Sequence, residues 1–558
     1  MKKKDIYVYL SLALIFWLGL FLRFYRLNLN IPEPYADETG HYVLRNLILG
    51  RDTNLWFFLY NKLFLGTFSF TWIFGLTPFG VRSASALYGS FTSLAAFCFA
   101  YTISKRKSVS FLMALLVAII PWNFMISRLG HTHVVVIVLL TMIHVSLFLI
   151  AQKFRDYLVS LVPLLLALLY YPSMVVVVPF ALVLVLWYAG QSLSKKQKVL
   201  TLIIATTALV VLAPIVLNYF HILDVKGRAL DLAIWRDVNT PYEIDRYRAL
   251  SWNSAPSIFS FNLPPEKLAN KLVYNKAMAN LSVFTRNYLS FFSPDWLFLK
   301  GDAILRHSTG QVGAFYLFLF PFMLYGAFKF FQTKDTKTKV TFLVWILVSP
   351  VPAAITKDGA GYLLRVVTLL PFLTYFSSLG LYESFGLVKK TWRLPYGILI
   401  ALLALYSAYY FFYGYFHVYP SLAERSFENG FKELSDFQIS RQNTSLLIIW
   451  DGYYHDIDFR FWQNTPYQDT KLFTLKRIEV GDSVFWQTFT NLYFSAPKSA
   501  SAVKQFIAQY HPQFVVLPDR YFVKYPEDVQ LLLSTKPVDQ ISYPDKTTAL
   551  TIYTPLSK

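Results

Sequence analysis

Asp37 and Glu38 stand side by side in Pro34-Tyr35-Ala36-Asp37-Glu38-Thr39-Gly40-His41-Tyr42, a short distance beyond the first long apolar run of the chain. Adjacent carboxylates near a membrane surface suit general-base chemistry, because partial desolvation raises a carboxylate pKa toward the range in which it accepts a proton. Two neighbours also permit a divided role, one as base and the other as its orienter. The plain alternative for any Asp-Glu dipeptide is a solvated acidic pair in a loop.

Basic residues recur at the ends of later apolar runs: Arg82, then Arg128 and His131, then Arg306 and His307 after Gly301-Asp302, then Lys357 before Asp358, and Arg365. Such a set could neutralise a phosphate, and arginine offers the two-pronged fork that suits one. Each has a competing reading. Arg82 and Arg128 at span ends could be interfacial anchors whose side chains reach the headgroups. His131 and His133 lack an obvious third ligand, so helix capping or hydrogen bonding competes with metal binding. Arg365 opens an apolar run, where an ionisable residue is functional by default. Asp295 and Asp302 read as residues that orient their loop. No metal ligands are assigned, and a divalent cation stays open as a cofactor. Trp235, Tyr242, Tyr247, Trp252 and Tyr274 among Arg236, Arg246 and Arg248 suit sugar or acceptor docking, and equally suit a membrane-interface helix.

Taken in order, these segments, with Gly75 to Gly89, Pro121-Trp122-Asn123, Tyr288 to Phe298 and Ser349 to Asp358, resemble the GT-C class of membrane glycosyltransferases. The likeness is to family 39, the group related to protein O-mannosyltransferases and the aminoarabinose transferase of lipid A, and it covers roughly residues 6–386. It implies that Asp37 is the catalytic aspartate, acting as general base, with Glu38 beside it. It also implies a polyprenyl-phosphate-linked sugar as donor, with basic residues of the later outer loops on its phosphate. A hydroxyl or amine of a lipid, glycan or protein would be the acceptor. One direct displacement at the anomeric carbon would invert its configuration.

These residues need a membrane scaffold to hold them, and the composition supplies one. The 558 residues are 55% hydrophobic and 15% charged, well above the apolar content of soluble domains. A span needs roughly 20 apolar residues. Candidate runs lie near 6–22, 84–104, 108–126, 134–151, 157–171, 173–190, 199–220, 312–331, 340–355, 365–386 and 394–416, eleven in all. The net charge of +20 sits in short Lys/Arg clusters between runs, which reads as topology rather than nucleic-acid binding. By the positive-inside rule those clusters are cytoplasmic, which places the loops 23–83 and 221–311 and the segment from 417 on the opposite face. The expected fold is therefore a polytopic all-α membrane domain, 1–416, followed by a small extracytoplasmic α/β domain, 417–558. In that domain Ser445 to Trp450 and Phe514 to Pro518 look like buried strands, and Ser501 to Tyr510 like a helix. The cluster Trp450 to Asp456 matches no catalytic motif. It would select the acceptor or cap the site.

Lys2 to Lys4 and the following apolar run have the layout of a signal peptide but no small-x-small cleavage site, so the segment reads as an uncleaved span of a plasma-membrane protein. If 157–171 and 173–190 form one bent span, the later alternation inverts and the charge rule fails. The rival from another class is a transporter or flippase of lipid-linked saccharide, which would hold polar groups near the bilayer midplane.

Overall fold

The computed structural model describes residues 3–30, 33–49, 65–191, 231–237, 239–253, 271–427, 430–441, 444–450, 456–463, 476–488, 491–518, 525–543 and 545–556. The expected run at 199–220 lies outside them, as does most of the Trp450 to Asp456 cluster. Two compact units result. One comprises Met1–Arg23, Ser85–Ser127 and Thr132–Phe412, the other Phe24–Ala84, Arg128–His131 and Tyr413–Lys558.

The first unit is helical. Every expected run within the described residues carries a helix, and five helices are long and apolar enough to cross a membrane: Ile6–Phe24, Pro78–Ser104, Thr132–Ile150, Met174–Gln191 and Lys390–Ala423. The chain is a multi-pass membrane protein. Phe154–Tyr170 and Met174–Gln191 are separate helices packed on one another, so Pro172 marks a turn and not a bend within one span. Gly326 and Gly380 bring the helices Phe320–Thr333 and Leu370–Ser384 into backbone contact. A Cβ on Gly326 would lie 1.8 Å from the Phe376 carbonyl oxygen, so only a glycine fits.

The expected span at 108–126 is broken. Lys107–Ile119 ends at Ile120, whose ψ of 142° is extended, and Pro121 opens a new helix, Pro121–Ile126. Proline has no N–H and disfavours helical geometry in the residue before it. The break leaves carbonyls that cannot be left bare in lipid. Arg23, fully buried at the end of the first helix, answers them. Its guanidinium donates to the carbonyls of Ala118 (3.0 Å), Val117 (3.2 Å) and Gly19 (3.0 Å) and to Ser127 Oγ (2.8 Å). Asn123 Nδ2 adds a second bond to Val117 O at 2.8 Å.

In the second unit the C-terminal residues form a seven-stranded sheet of order β2-β3-β4-β1-β5-β7-β6. The strands are β1 Leu446–Ile449, β2 Lys476–Val480, β3 Ser483–Thr488, β4 Leu492–Ser495, β5 Phe514–Pro518, β6 Asp539–Ser542 and β7 Thr548–Tyr553. The central trio β4-β1-β5 is parallel and the flanks antiparallel. A parallel strand covered on both faces reads as a continuous apolar run, which is why β1 and β5 stood out in the sequence. Leu446 and Ile448 face a core with Phe431, Leu434 and Phe459, while Leu447 and Ile449 face one with Phe485, Val503 and Phe506. The helices Phe431–Ser440 and Asp456–Trp462 thus cover one face, and Ala500–Tyr510 the other.

Replacing Arg23 with Met removes the donors that satisfy these buried carbonyls, at about 1–3 kcal/mol for each acceptor left bare. Thermal unfolding of purified Arg23→Met in detergent should show a clear fall in Tm. An unchanged Tm would mean that the helix break needs no such partner.

Candidate functional site

Tyr35 begins the site. Its carbonyl accepts the N–H groups of Glu38 (2.7 Å) and Thr39 (2.9 Å), which closes the one-turn helix Ala36–Thr39. Within that turn the two carboxylates part company. Glu38 is fully buried and Asp37 exposed. Arg82, near the start of the Pro78–Ser104 helix and 2% exposed, grips Glu38 with both prongs: Nε donates to Oε1 at 2.9 Å and Nη2 to Oε2 at 2.7 Å. Oε1 also accepts the Gly130 N–H at 2.7 Å. Arg82 further donates to the carbonyls of Glu33 (3.0 Å) and Leu27 (3.4 Å). Gly130 has no room for a side chain, since a Cβ would come within 2.7 Å of Val81 and 3.1 Å of Glu38.

His41 Nε2–H donates to the Gly130 carbonyl at 2.9 Å, while its buried Nδ1 meets no hydrogen-bond partner among the described residues. Burial is the largest influence and pushes His41 below the ordinary histidine pKa, against the Gly130 carbonyl and the charges of Glu38 and Asp37. His131 is bonded to the Tyr35 hydroxyl, and Tyr35 stands edge-on to Phe427 at 5.5 Å between ring centres. Arg128 is 3% exposed and donates to Tyr415 Oη (2.9 Å) and to the carbonyls of Tyr25 (2.8 Å) and Arg26 (3.3 Å). Arg82, Arg128 and His131 are therefore committed to protein partners. The described fold turns neither arginine's fork toward an outside phosphate.

A second cluster lies in the first unit. Asp302 accepts His307 Nδ1–H (2.9 Å), the Leu363 N–H (2.8 Å) and the Ile304 N–H (2.8 Å), which ties the His307 loop to the turn Leu363–Arg365. The orienting role read for Asp302 matches this geometry. Asp295 instead is exposed, 3.7 Å from Lys300. Tyr362 sits between the two basic residues: His307 meets it edge-on at 5.2 Å, and the Arg365 guanidinium lies 4.2 Å from its ring centre. Arg365 donates to Thr356 Oγ1 (2.6 Å) and, with both prongs, to Asp358 (2.8 and 3.2 Å). Burial would raise the Asp358 carboxyl, but the hydrogen bonds and charge of Arg365 outweigh it and hold it below the usual range. Lys357 is exposed and Arg306 half-buried in the same pair of loops. The Arg365 side chain is 13% exposed, and its fork is occupied by Asp358 and Thr356.

Among the described residues no group of three His, Cys, Asp or Glu side chains stands ready for a metal ion. Glu33, Tyr35, His41 and Gly130 were not singled out by sequence reasoning as site residues. Only their nearness in sequence to Asp37 or Arg128 could have pointed to them.

Neither a protein-family model nor a curated protein matches the chain. Solved structures do. The Archaeoglobus fulgidus oligosaccharyltransferase in its apo form aligns over 100% of this chain and 75% of its own, with 13% identity and a TM-score of 0.50. The same enzyme tethered through a disulfide to an acceptor peptide containing the NVT sequon aligns over 100% and 74%, again at 13% and 0.50. A complex of that archaeal oligosaccharyltransferase with an inhibitory peptide and a dolichol-phosphate gives 14% identity, 92% and 70% coverage and 0.48. The chain shares the overall fold of these archaeal oligosaccharyltransferase structures.

Removing the counter-charge of a buried pair is costly, about 3–5 kcal/mol. Glu38→Gln should lower Tm strongly, and Glu38→Met with Arg82→Met should recover part of the loss. Equal Tm for the single variant and wild type would contradict the pair's structural role. Because His41 is held below its unfolded pKa, the unfolded chain takes up the proton first. Stability is therefore full above about pH 6.5 and falls as the pH drops through that value. His41→Gln should flatten that part of a Tm-against-pH profile.

Proposed function

We propose that the protein is an inverting membrane glycosyltransferase that moves a sugar from a polyprenyl-phosphate donor to a hydroxyl or amine, with Asp37 as general base. The observation that carries this reading is the division of labour in the Asp37-Glu38 pair. Glu38 is locked to Arg82 and Gly130, and Asp37 projects from the same turn with its carboxylate exposed. A base needs such an anchored but accessible position.

In the transfer, the acceptor oxygen or nitrogen attacks the anomeric carbon from the face opposite the lipid phosphate. The bond from that carbon to the phosphate oxygen breaks, the acceptor proton passes to Asp37, and the polyprenyl phosphate departs as an anion. Arg365 neutralises that anion, supported by His307, Arg306 and Lys357. Its stacking on Tyr362 and its bond to Thr356 orient the guanidinium before any donor arrives.

The reading places eleven spans in the plasma membrane, with the reacting loops on the face opposite the Lys/Arg clusters. A protein acceptor suits the fold's kinship with an enzyme solved with an acceptor peptide. Lipid and glycan acceptors fit the same chemistry. A transporter of lipid-linked saccharide is the weaker reading, because the described residues hold their charged clusters in loops and at helix ends.

The test is transfer of radiolabelled sugar from a panel of polyprenyl-phosphate sugars to membrane acceptors, with Asp37→Asn compared to wild type at matched levels of folded protein. Loss of a general base should lower transfer by roughly 10²–10⁴-fold. Equal transfer by both would remove Asp37 from the mechanism. Arg365→Ala should raise the donor KM at least tenfold, and an unchanged KM would remove Arg365 from the donor site.

A further inference from the structure

The C-terminal residues share a compact unit with the Asp37 turn, and one buried carboxylate ties them together. Glu33 is 5% exposed and lies four residues before Asp37. Its side chain accepts the N–H groups of Gly430 (2.9 Å) and Lys432 (3.4 Å) at the start of the Phe431–Ser440 helix. That helix has Gly430 at its N-cap, with φ at +107°, and so has no side chain of its own to cap it. Glu33 supplies the missing cap, its carboxyl oxygens accepting both N–H groups. The Glu33 backbone carbonyl in turn accepts from Arg82, the residue that holds Glu38.

Three other contacts join the same parts. The helix Asp456–Trp462 packs on Ala36–Thr39, Phe461 is buried with Tyr42 and Val81, and Phe427 lies between Tyr35 and the Arg82 guanidinium. We infer that Glu33 is a positioning residue through which the C-terminal domain holds the Asp37 turn in its reactive place, so that this domain is a working part of the site. The inference rests on Asp37 being the base.

The required feature is a hydrogen-bond acceptor on a side chain of this length, not a charge. Burial first, and the charge of Glu433 second, raise the Glu33 carboxyl well above the ordinary value. A neutral glutamine keeps an acceptor for the Gly430 N–H and escapes that penalty.

The experiment compares full-length Glu33→Ala, Glu33→Asp and Glu33→Gln with wild type in detergent, reading kcat and donor KM with the polyprenyl-phosphate sugar used above, together with Tm at pH 8. Alanine, and aspartate, which falls one methylene short, should each lower kcat at least tenfold with KM within twofold. Glutamine should restore kcat to within threefold and raise Tm at pH 8 above wild type. In an Asp37→Asn background, Glu33→Ala should cost nothing further.

Full kcat in folded Glu33→Ala or Glu33→Asp overturns the tie, and so does a glutamine variant as impaired as alanine. If Asp37→Asn alone retains full activity, the base assignment fails and the positioning role fails with it. If Asp37→Asn is inactive while Glu33→Ala is not, only the positioning role fails.

Discussion

The buried ion pair of Glu38 and Arg82 is the constraint on which the candidate base depends. Two charges out of water are stable only when geometry is good and the remaining valences are met. Here both carboxylate oxygens and three of the arginine's nitrogens have partners within the unit. Those partners come from four separate stretches of chain: the residues around Leu27 and Glu33, the Asp37 turn, the start of the Pro78–Ser104 helix, and Gly130. The pair thereby assembles the site and leaves its neighbour Asp37 facing outward. Changing either member would disturb every stretch at once, which separates it from the surface ion pairs elsewhere, such as Arg477 with Glu479.

The same economy governs Arg23. A proline-broken helix in a membrane exposes carbonyls that lipid cannot satisfy, and a buried arginine at a helix end supplies several donors in one rigid fork. Arg128 does likewise for the carbonyls of Tyr25 and Arg26. Three arginines near helix ends thus hold backbone carbonyls within their own units. Arg365 differs because its carboxylate partner, Asp358, is 47% exposed and therefore open to exchange for another anion.

Much of the fold was legible in the sequence. Apolar runs of span length marked the helices, and the strands Leu446–Ile449 and Phe514–Pro518 announced themselves as apolar stretches in a polar segment. The break at Pro121 was missed because hydropathy continues across it, and only the backbone chemistry of proline interrupts the helix. At the site, the Asp-Glu pair was visible. The partition of roles was not, because it is decided by Arg82 and Gly130, which lie 44 and 92 residues away from Glu38. Arg82 read as a phosphate contact because an arginine at a span end looks the same whether it meets a lipid, a ligand or a buried glutamate. Glu33 was marked only by its nearness to Asp37, since its partners lie 397 and 399 residues further along.

The proposed function requires the protein to break the bond between sugar and lipid phosphate, rather than carry the intact lipid-linked sugar across the bilayer. The most direct measurement reconstitutes the full chain in liposomes with a radiolabelled polyprenyl-phosphate sugar and an acceptor, and follows both lipid products. Free polyprenyl phosphate should be released in step with glycosylated acceptor, the anomeric configuration inverted. Intact donor reappearing in the opposite leaflet, with no polyprenyl phosphate released, would contradict the proposed function.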